Sequence, residues 1–333
     1  MNNETHSIGI VMPYFGKLPN YFSLWLESCR YNLSVNWLLF TDDQTVYDFP
    51  ANVKVHYCSF QEIVHLIQSK FEYEIALTRP YKLCDFRPAF GAIFEEYLIN
   101  YDFWGYGDMD LILGNIRQFL TKEILDAHDR ILTHGPLSLM RNTTRFTNLF
   151  KNEINGISRF KEVSQMATNT SFDEYGSKSF YAICTEHKVR IYKNNLCFAD
   201  INSWRKHFEL TGVMYLCDEK EKQQLIWEKS TSSSNSAFLF DKGTLTRYYT
   251  RGSELCSKEY LYVHFQKRAM NYDKTLHLKD SFIMIPNQFV PNDTNIDVKY
   301  LLDKGRKKLF AHRRIKRQLY IRTRMFIKNY LKI

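Results

Sequence analysis

Residues 8 to 142 alternate short apolar runs with longer spans of helical spacing, and several acidic residues fall just behind the apolar runs. That alternation predicts an α/β fold, a mixed and mostly parallel sheet flanked by crossover helices. The C-terminal residues 304–333 carry 12 Lys/Arg and no Asp or Glu, which predicts an appended basic amphipathic helix.

Taken in order, IGIVM (8–12) reads as a buried strand closed by the loop PYFGKLPN. Residues 21–32 have helical spacing, WLLF (37–40) is a second strand ending in Thr41-Asp42-Asp43, and residues 53–58 are a third. Residues 78–101 read as helical, with Pro80 suited to a first turn. Pro88 interrupts that span and predicts a kink or two shorter helices. The stretch YDFWGYGDMDLILGN (101–115) approaches Asp108 and Asp110 as a strand. Residues 130–142 read as strand, turn, strand, followed by a helix over 143–153. The polar loop 229–236 is an internal hinge, and residues 237–241 and 259–265 return to strand character. The resulting division is one domain over 1–303 and a helical tail over 304–333.

The seven cysteines (29, 58, 84, 184, 197, 217, 256) are odd in number and never spaced CxxC. This argues for reduced thiols in a cytoplasmic setting, and against a disulfide framework or zinc knuckle. The N-terminal residues do not read as a signal peptide, and no apolar run reaches the ~18–20 residues of a spanning helix. The net charge of +9 is local to the tail: without its 12 cations, 33 basic residues face 36 acidic ones. A nucleic-acid-binding body is therefore not expected.

Four constellations carry chemistry. Asp108-Met109-Asp110 puts two carboxylates on one side of a strand end, where they can meet one hard cation, Mn²⁺ or Mg²⁺; a solvated turn is the alternative. In KLCDFRP, Lys82, Asp85 and Arg87 suit the ribose and phosphates of a donor, or else form a surface ion pair. In YLYVHFQKR, His264 is a candidate third metal ligand and Lys267 a candidate for a diphosphate, against a purely structural histidine. In SFDEYG, Asp173 and Glu174 are candidates for the base that activates an acceptor hydroxyl, or are solvated loop acids. Asp42 at the second strand end, His134 and Arg141 complete the candidate pocket.

Together these segments resemble the GT-A-type nucleotide-sugar glycosyltransferases, and more narrowly the small bacterial enzymes of capsule and O-antigen (lipopolysaccharide) assembly. The resemblance runs through IGIVMPYF, FTDD, RPYKLCDFRPAFG, DFWGYGDMDLILGNI, LSLMRN and FDEYG to YLYVHFQKRAM. It implies a Rossmann-like GT-A fold, with Asp108 and Asp110 holding a divalent ion on the donor diphosphate. Similarity to enzymes related to glycogenin implies a metal-ligand role for His264 and a phosphate role for Lys267, although HFQKRAM lacks that family's further Gly and Lys-Pro-Trp.

In the tail, Ile315, Leu319, Phe326, Tyr330 and Ile333 fall on one helical side, with Arg314, Arg317, Arg324 and Lys328 opposite. An apolar stripe beside a cationic face suits an in-plane helix on an anionic membrane; an RNA-binding arm or a helix docked on the body are alternatives. The expectation is a peripheral enzyme on the inner face of the cell membrane. It moves a sugar from a UDP-type donor to a lipid-linked saccharide. The rivals are a sugar-phosphate nucleotidyltransferase, disfavoured by a loop after the first strand with one Gly and one Lys, and a non-catalytic membrane or RNA adaptor.

Overall fold

A computed structural model of the chain describes residues 6–174, 176–203, 205, 207–211, 223, 235–276 and 280–305. The chain divides after Cys197 into two compact units, Met1–Cys197 and Phe198–Ile333. Residue 303, the expected end of the main domain, lies in the helix Val298–Lys304 of the second unit. The tail from residue 306 onward and residues 229–234 of the polar loop lie outside the described residues.

The first unit is built on a seven-stranded sheet of order β3-β2-β1-β4-β7-β6-β8. Its strands are β1 (Ile8–Pro13), β2 (Val35–Thr41), β3 (Val53–Tyr57), β4 (Phe103–Gly107), β6 (Arg130–His134), β7 (Leu137–Arg141) and β8 (Ile191–Tyr192). A short β5 (Leu111–Leu113) follows β4. β1 to β4 run parallel, β7 runs against both β4 and β6, and β8 runs with β6. The mixed, mostly parallel sheet with flanking helices is the expected fold class. Covered on both faces, its central strands read as continuous apolar runs rather than alternating ones: residues 8–12 of β1 are all buried.

Helix α1 (Phe22–Arg30) packs Trp25 edge-on against Trp37 of β2, with ring centroids 5.4 Å apart. Helix α2 (Phe60–Gln68) starts at a capping box in which Ser59 accepts from the Glu62 backbone while Glu62 reaches back. The helix expected over 78–101 is broken into a 3₁₀ segment, Pro80–Ala89, and two single turns, Phe90–Ile93 and Glu95–Leu98. Pro88 explains part of this, because it has no N–H to donate and its ring excludes the carbonyl four residues back. The tighter winding still buries Phe86 and Phe90, which join Phe40, Trp104, Tyr106 and Phe160 in the core.

β1 is the point where connections reverse, since the chain moves outward to β2 and β3 and then returns to lay β4 on the other side. Open sheets of this kind hold ligands beyond the carboxyl ends of the strands at such a reversal.

In the second unit, β9 (Ala199–Asp200) pairs in parallel with β13 (Tyr262–His264). A five-stranded antiparallel sheet has the order β12-β11-β10-β14-β15. It comprises β10 (Ser236–Asp241), β11 (Thr244–Arg251), β12 (Glu254–Glu259), β14 (Ser281–Ile285) and β15 (Gln288–Pro291). Helix Val298–Lys304 is capped by the Asp297 carboxylate, and its Leu301 packs with Ala237, Ile283 and Ile296. Among the described residues no helix is long and apolar enough to cross a membrane.

Candidate active site

The carboxyl ends of β1, β2, β4 and β6 share one rim of the first unit. At the end of β2, Asp42 accepts from the backbone N–H of Gly16 at 2.7 Å, and Asp43 from that of Leu18 at 2.9 Å. These two carboxylates fasten the loop that follows β1, where Gly16 takes φ +89°. Asp42, expected to bind donor, thus acts on the protein's own loop. Hydrogen bonds from Thr45 and Leu18 hold the Asp43 carboxyl below its ordinary range.

At the end of β4, Met109 turns into the core, and Asp108 and Asp110 flank it, each partly buried. The Asp108 backbone N–H donates to the Pro136 carbonyl at 3.0 Å, tying this turn to the β6–β7 connection. Asp110 faces the ring hydroxyls of Tyr14 and Tyr21. Burial raises both phenols, and the charge of Asp110 raises them further.

Arg87 joins the rim together. Its guanidinium donates to Asp108 Oδ1 and, at 2.8 Å, to Asp173 Oδ2, and it caps the carbonyls of Gly107 and Gly135 at 3.3 and 3.2 Å. It lies 5.6 Å from the centre of the Tyr106 ring. Burial alone would lower its pKa, but Asp108, Cys84 and Asp173 around it raise the pKa well above the ordinary value. Asp173 is pushed up to about 7, first by burial and then by Glu174 and Asp108, against the opposing pull of Arg87. Asp173 itself is buried, and one guanidinium shared with Asp108 does not offset both that burial and two neighbouring acids. The Asp173 backbone carbonyl accepts from Tyr106 at 3.3 Å and from the buried Arg130 at 3.4 Å, so the segment that carries it is held from below. Gly135 leaves room for the cluster: a Cβ there would sit 3.0 Å from Arg87 Nη1 and 3.2 Å from Asp173 Oδ2.

Lys82 and Asp85, from the same motif as Arg87, are placed differently. Both side chains are 0% exposed and paired at 2.8 Å. Lys82 also donates to the carbonyls of Val163 and Thr168, while Asp85 accepts from the N–H groups of Thr170 and Phe172 and from the Thr170 hydroxyl. These side chains, expected to bind the donor, are both engaged by the protein's own groups. The pair pins the 163–172 segment, which leads directly into Asp173.

His134, at the end of β6, is buried and shares a 2.9 Å hydrogen bond with Asn195, so it braces the rim rather than opening onto it. Arg141 is at the far end of the antiparallel β7, on the opposite rim. There it pairs with Asp129 at 3.2 Å and caps carbonyls of residues 125, 126 and 128. Of the two acids in SFDEYG, Asp173 is buried against Arg87 and Glu174 is exposed.

In the second unit, His264 ends β13 with Nδ1 at 2.7 Å from Asp200 Oδ1. Lys267 is exposed and follows Gln266 in a turn where both residues have left-handed backbones, φ 58° and 48°. Sequence reasoning did not single out Asp200, Tyr106, Arg130 or Gly135. Tyr106 lay within the quoted acidic stretch, but nothing local marked Asp200, whose partner is 64 residues away.

The residue types fit a hard divalent ion. Asp108 and Asp110 offer oxygen ligands from a single turn, and Arg87 already compensates part of their charge. With a divalent ion on the two carboxylates, these groups can meet a diphosphate beside a fixed guanidinium, and an exposed acid can activate a hydroxyl.

Residues 10–293 match the model of a family described as a family of unknown function, DUF6625. No curated protein matches the chain. Among solved structures it is similar to an active-site mutant of LgtC, at 8% identity and TM-score 0.38, over 78% of this chain and 88% of that one. It is also similar to the galactosyltransferase LgtC in complex with donor and acceptor sugar analogs (9%, TM-score 0.34, 59% of this chain and 77% of that one). A third is mouse xyloside xylosyltransferase 1 in its apo form (10%, TM-score 0.34, 60% and 89%).

Proposed function

The chain belongs to the family of unknown function DUF6625, a membership that assigns no chemistry, and we propose from the site itself that it is a metal-dependent, GT-A-type glycosyltransferase. The observation that carries this reading is the Asp108-Met109-Asp110 turn at the carboxyl end of β4, beside the reversal at β1, with Arg87 bridging Asp108 and Asp173. Asp108 and Asp110 are its carboxylate ligands and His264, by the resemblance of YLYVHFQKR, its imidazole ligand, residue types suited to Mn²⁺ or Mg²⁺. When bound, the ion supplies Lewis-acid stabilisation to a departing diphosphate. Lys267 adds a positive charge for the same diphosphate. Arg87 fixes the Asp108 carboxylate and keeps a cation at the donor sugar, while the buried Lys82–Asp85 pair holds the segment that presents Asp173 and Glu174.

Glu174 is the acceptor-activating base in this reading, because it is exposed while Asp173 is committed to Arg87. The donor is a UDP-type nucleotide sugar, and the acceptor a lipid-linked saccharide of O-antigen or capsule assembly. The basic stripe of residues 304–333 would hold the enzyme on the inner, anionic membrane surface where such an acceptor is carried.

A thermal-shift panel of nucleotide sugars, with and without Mn²⁺, tests the donor assignment, since a ligand of the native state raises apparent stability by mass action. One nucleotide sugar should stabilise the protein only with Mn²⁺; a panel with no metal-dependent shift sinks the proposal. Deleting residues 304–333 should abolish co-sedimentation with anionic vesicles and leave the donor shift intact. Unchanged sedimentation would remove the membrane role.

A further inference from the structure

The second unit contains a largely buried hydrogen-bond centre in which His264 meets a carboxylate, Asp200, that the sequence pattern does not mark. Asp200 and His264 are direct partners in the parallel β9–β13 register, and the Ile201 N–H donates to the His264 carbonyl at 2.9 Å. The two side chains meet at 2.7 Å and are only 14% and 12% exposed. The second oxygen of Asp200 accepts from the Thr211 hydroxyl at 2.7 Å and from the Gln266 amide.

Three donors thus converge on one carboxylate. A carboxylate can only accept, so the imidazole must carry its proton on Nδ1, and its lone pair then sits on Nε2. The turn after His264 serves the same end. Gln266 and Lys267 are successive non-glycine residues with left-handed backbones, a conformation that persists only where its surroundings enforce it. It folds Gln266 back onto Asp200 instead of continuing away from β13. Thr211 and Gln266 both occupy Oδ2, which leaves Oδ1 to the ring.

We propose that Asp200 is the positioning residue that fixes His264 as an Nε2 donor to the divalent ion. The proposal rests on reading His264 as a metal ligand, and it adds the group that sets the tautomer and ring orientation. Outer partners of this kind raise the basicity of a ligating imidazole, and their loss typically weakens metal affinity about 10–100-fold.

The test uses the full chain and Mn²⁺ alone, with affinity read by calorimetry for wild type, Asp200→Asn, His264→Ala and the double variant. An amide at 200 must turn an N–H toward one of three donors. The ring can relieve that clash by moving its proton to Nε2, which blocks the ligand position. Asp200→Asn should therefore bind Mn²⁺ about 10–100-fold more weakly than wild type, and the double variant no more weakly than His264→Ala, because the two residues act through one bond. Wild-type affinity in Asp200→Asn, beside lost affinity in His264→Ala, would overturn the positioning role and leave His264 a ligand. Wild-type affinity in His264→Ala would overturn both. Should Asp200→Asn fail to fold, ¹⁵N NMR of the imidazole in the metal-free wild type decides alone: a proton on Nδ1 supports the proposal, and one on Nε2 overturns it.

Discussion

Lys82 and Arg87 stand five positions apart in one 3₁₀ segment, each within hydrogen-bonding reach of carboxylates, yet they do opposite things. Lys82 is sealed against Asp85 and ties the 163–172 segment from inside. Arg87 reaches the rim, where it is shared between Asp108 and Asp173 and keeps a partly exposed carboxylate beside it. A short charged motif therefore does not identify a ligand site by its composition. Depth decides, and it is set by what covers each residue: the 163–172 segment over Lys82 and Asp85, the strand-end rim beside Arg87.

The sharpest way to break this contrast is at the sealed pair. Lys82→Met leaves Asp85 as a buried charge without its cation, and removing one partner of such a pair costs about 3–5 kcal/mol. Urea unfolding should show that loss, while the molecules that remain folded bind Mn²⁺ and donor as the wild type does. A loss below about 1 kcal/mol would mean the pair is not the clasp described here. Arg87→Met should reverse the balance: about 1.5–3 kcal/mol of stability, the worth of hydrogen bonds to charged groups, together with loss of metal-dependent donor binding. Full donor affinity in Arg87→Met would place Arg87 with Lys82 as scaffold.

The same comparison shows how much of the molecule was legible in the sequence. β1, β2 and the β6–β7 hairpin announced themselves because well-covered strands are largely apolar runs, and β3, at the sheet edge, by its alternating Val53-Lys54-Val55 pattern. α2 carried a legible capping box, Ser59 to Glu62, that apolar patterning alone passed over. In the second unit β11 and β12 went unread, because partly exposed antiparallel strands such as TLTRYYTR and ELCSKE carry little apolar signal. At the site, Asp108 and Asp110 were visible because charges are costly inside an aromatic run. The depth of Lys82 and Asp85 was not, since their partners come from residues 163–172, more than 75 positions away. Asp200 was hidden for the same reason.

A pH series sharpens the comparison further, because the Arg87 cluster holds an acid whose pKa is pushed up to about 7, from an ordinary 3.8. Between those values the folded chain binds the Asp173 proton more tightly than the unfolded chain does. Stability should therefore fall as pH rises from about 4 to about 7, and this contribution should be flat on either side of that window. Asp173→Asn should remove the slope, as read by urea midpoints across the range. An identical slope in the variant would assign it to other groups.

The smallest effect on stability is expected at the other end of the acidic turn. Asp110→Asn removes a charge that faces the hydroxyls of Tyr14 and Tyr21 and, through one intervening residue, Asp108. Loss of like-charge repulsion in the metal-free protein should leave the melting temperature unchanged or slightly higher. Asp108→Asn should lower it, because Arg87 then loses a charged partner at the rim. Both variants should nevertheless lose the Mn²⁺-dependent shift given by a nucleotide sugar, since each removes one of two oxygen ligands. The pair of variants thus separates two properties that coincide at Asp108: holding Arg87 and holding the ion. If Asp110→Asn kept the metal-dependent shift, Asp110 would be a solvated turn acid, and the rim would consist of Arg87 and the two carboxylates it bridges.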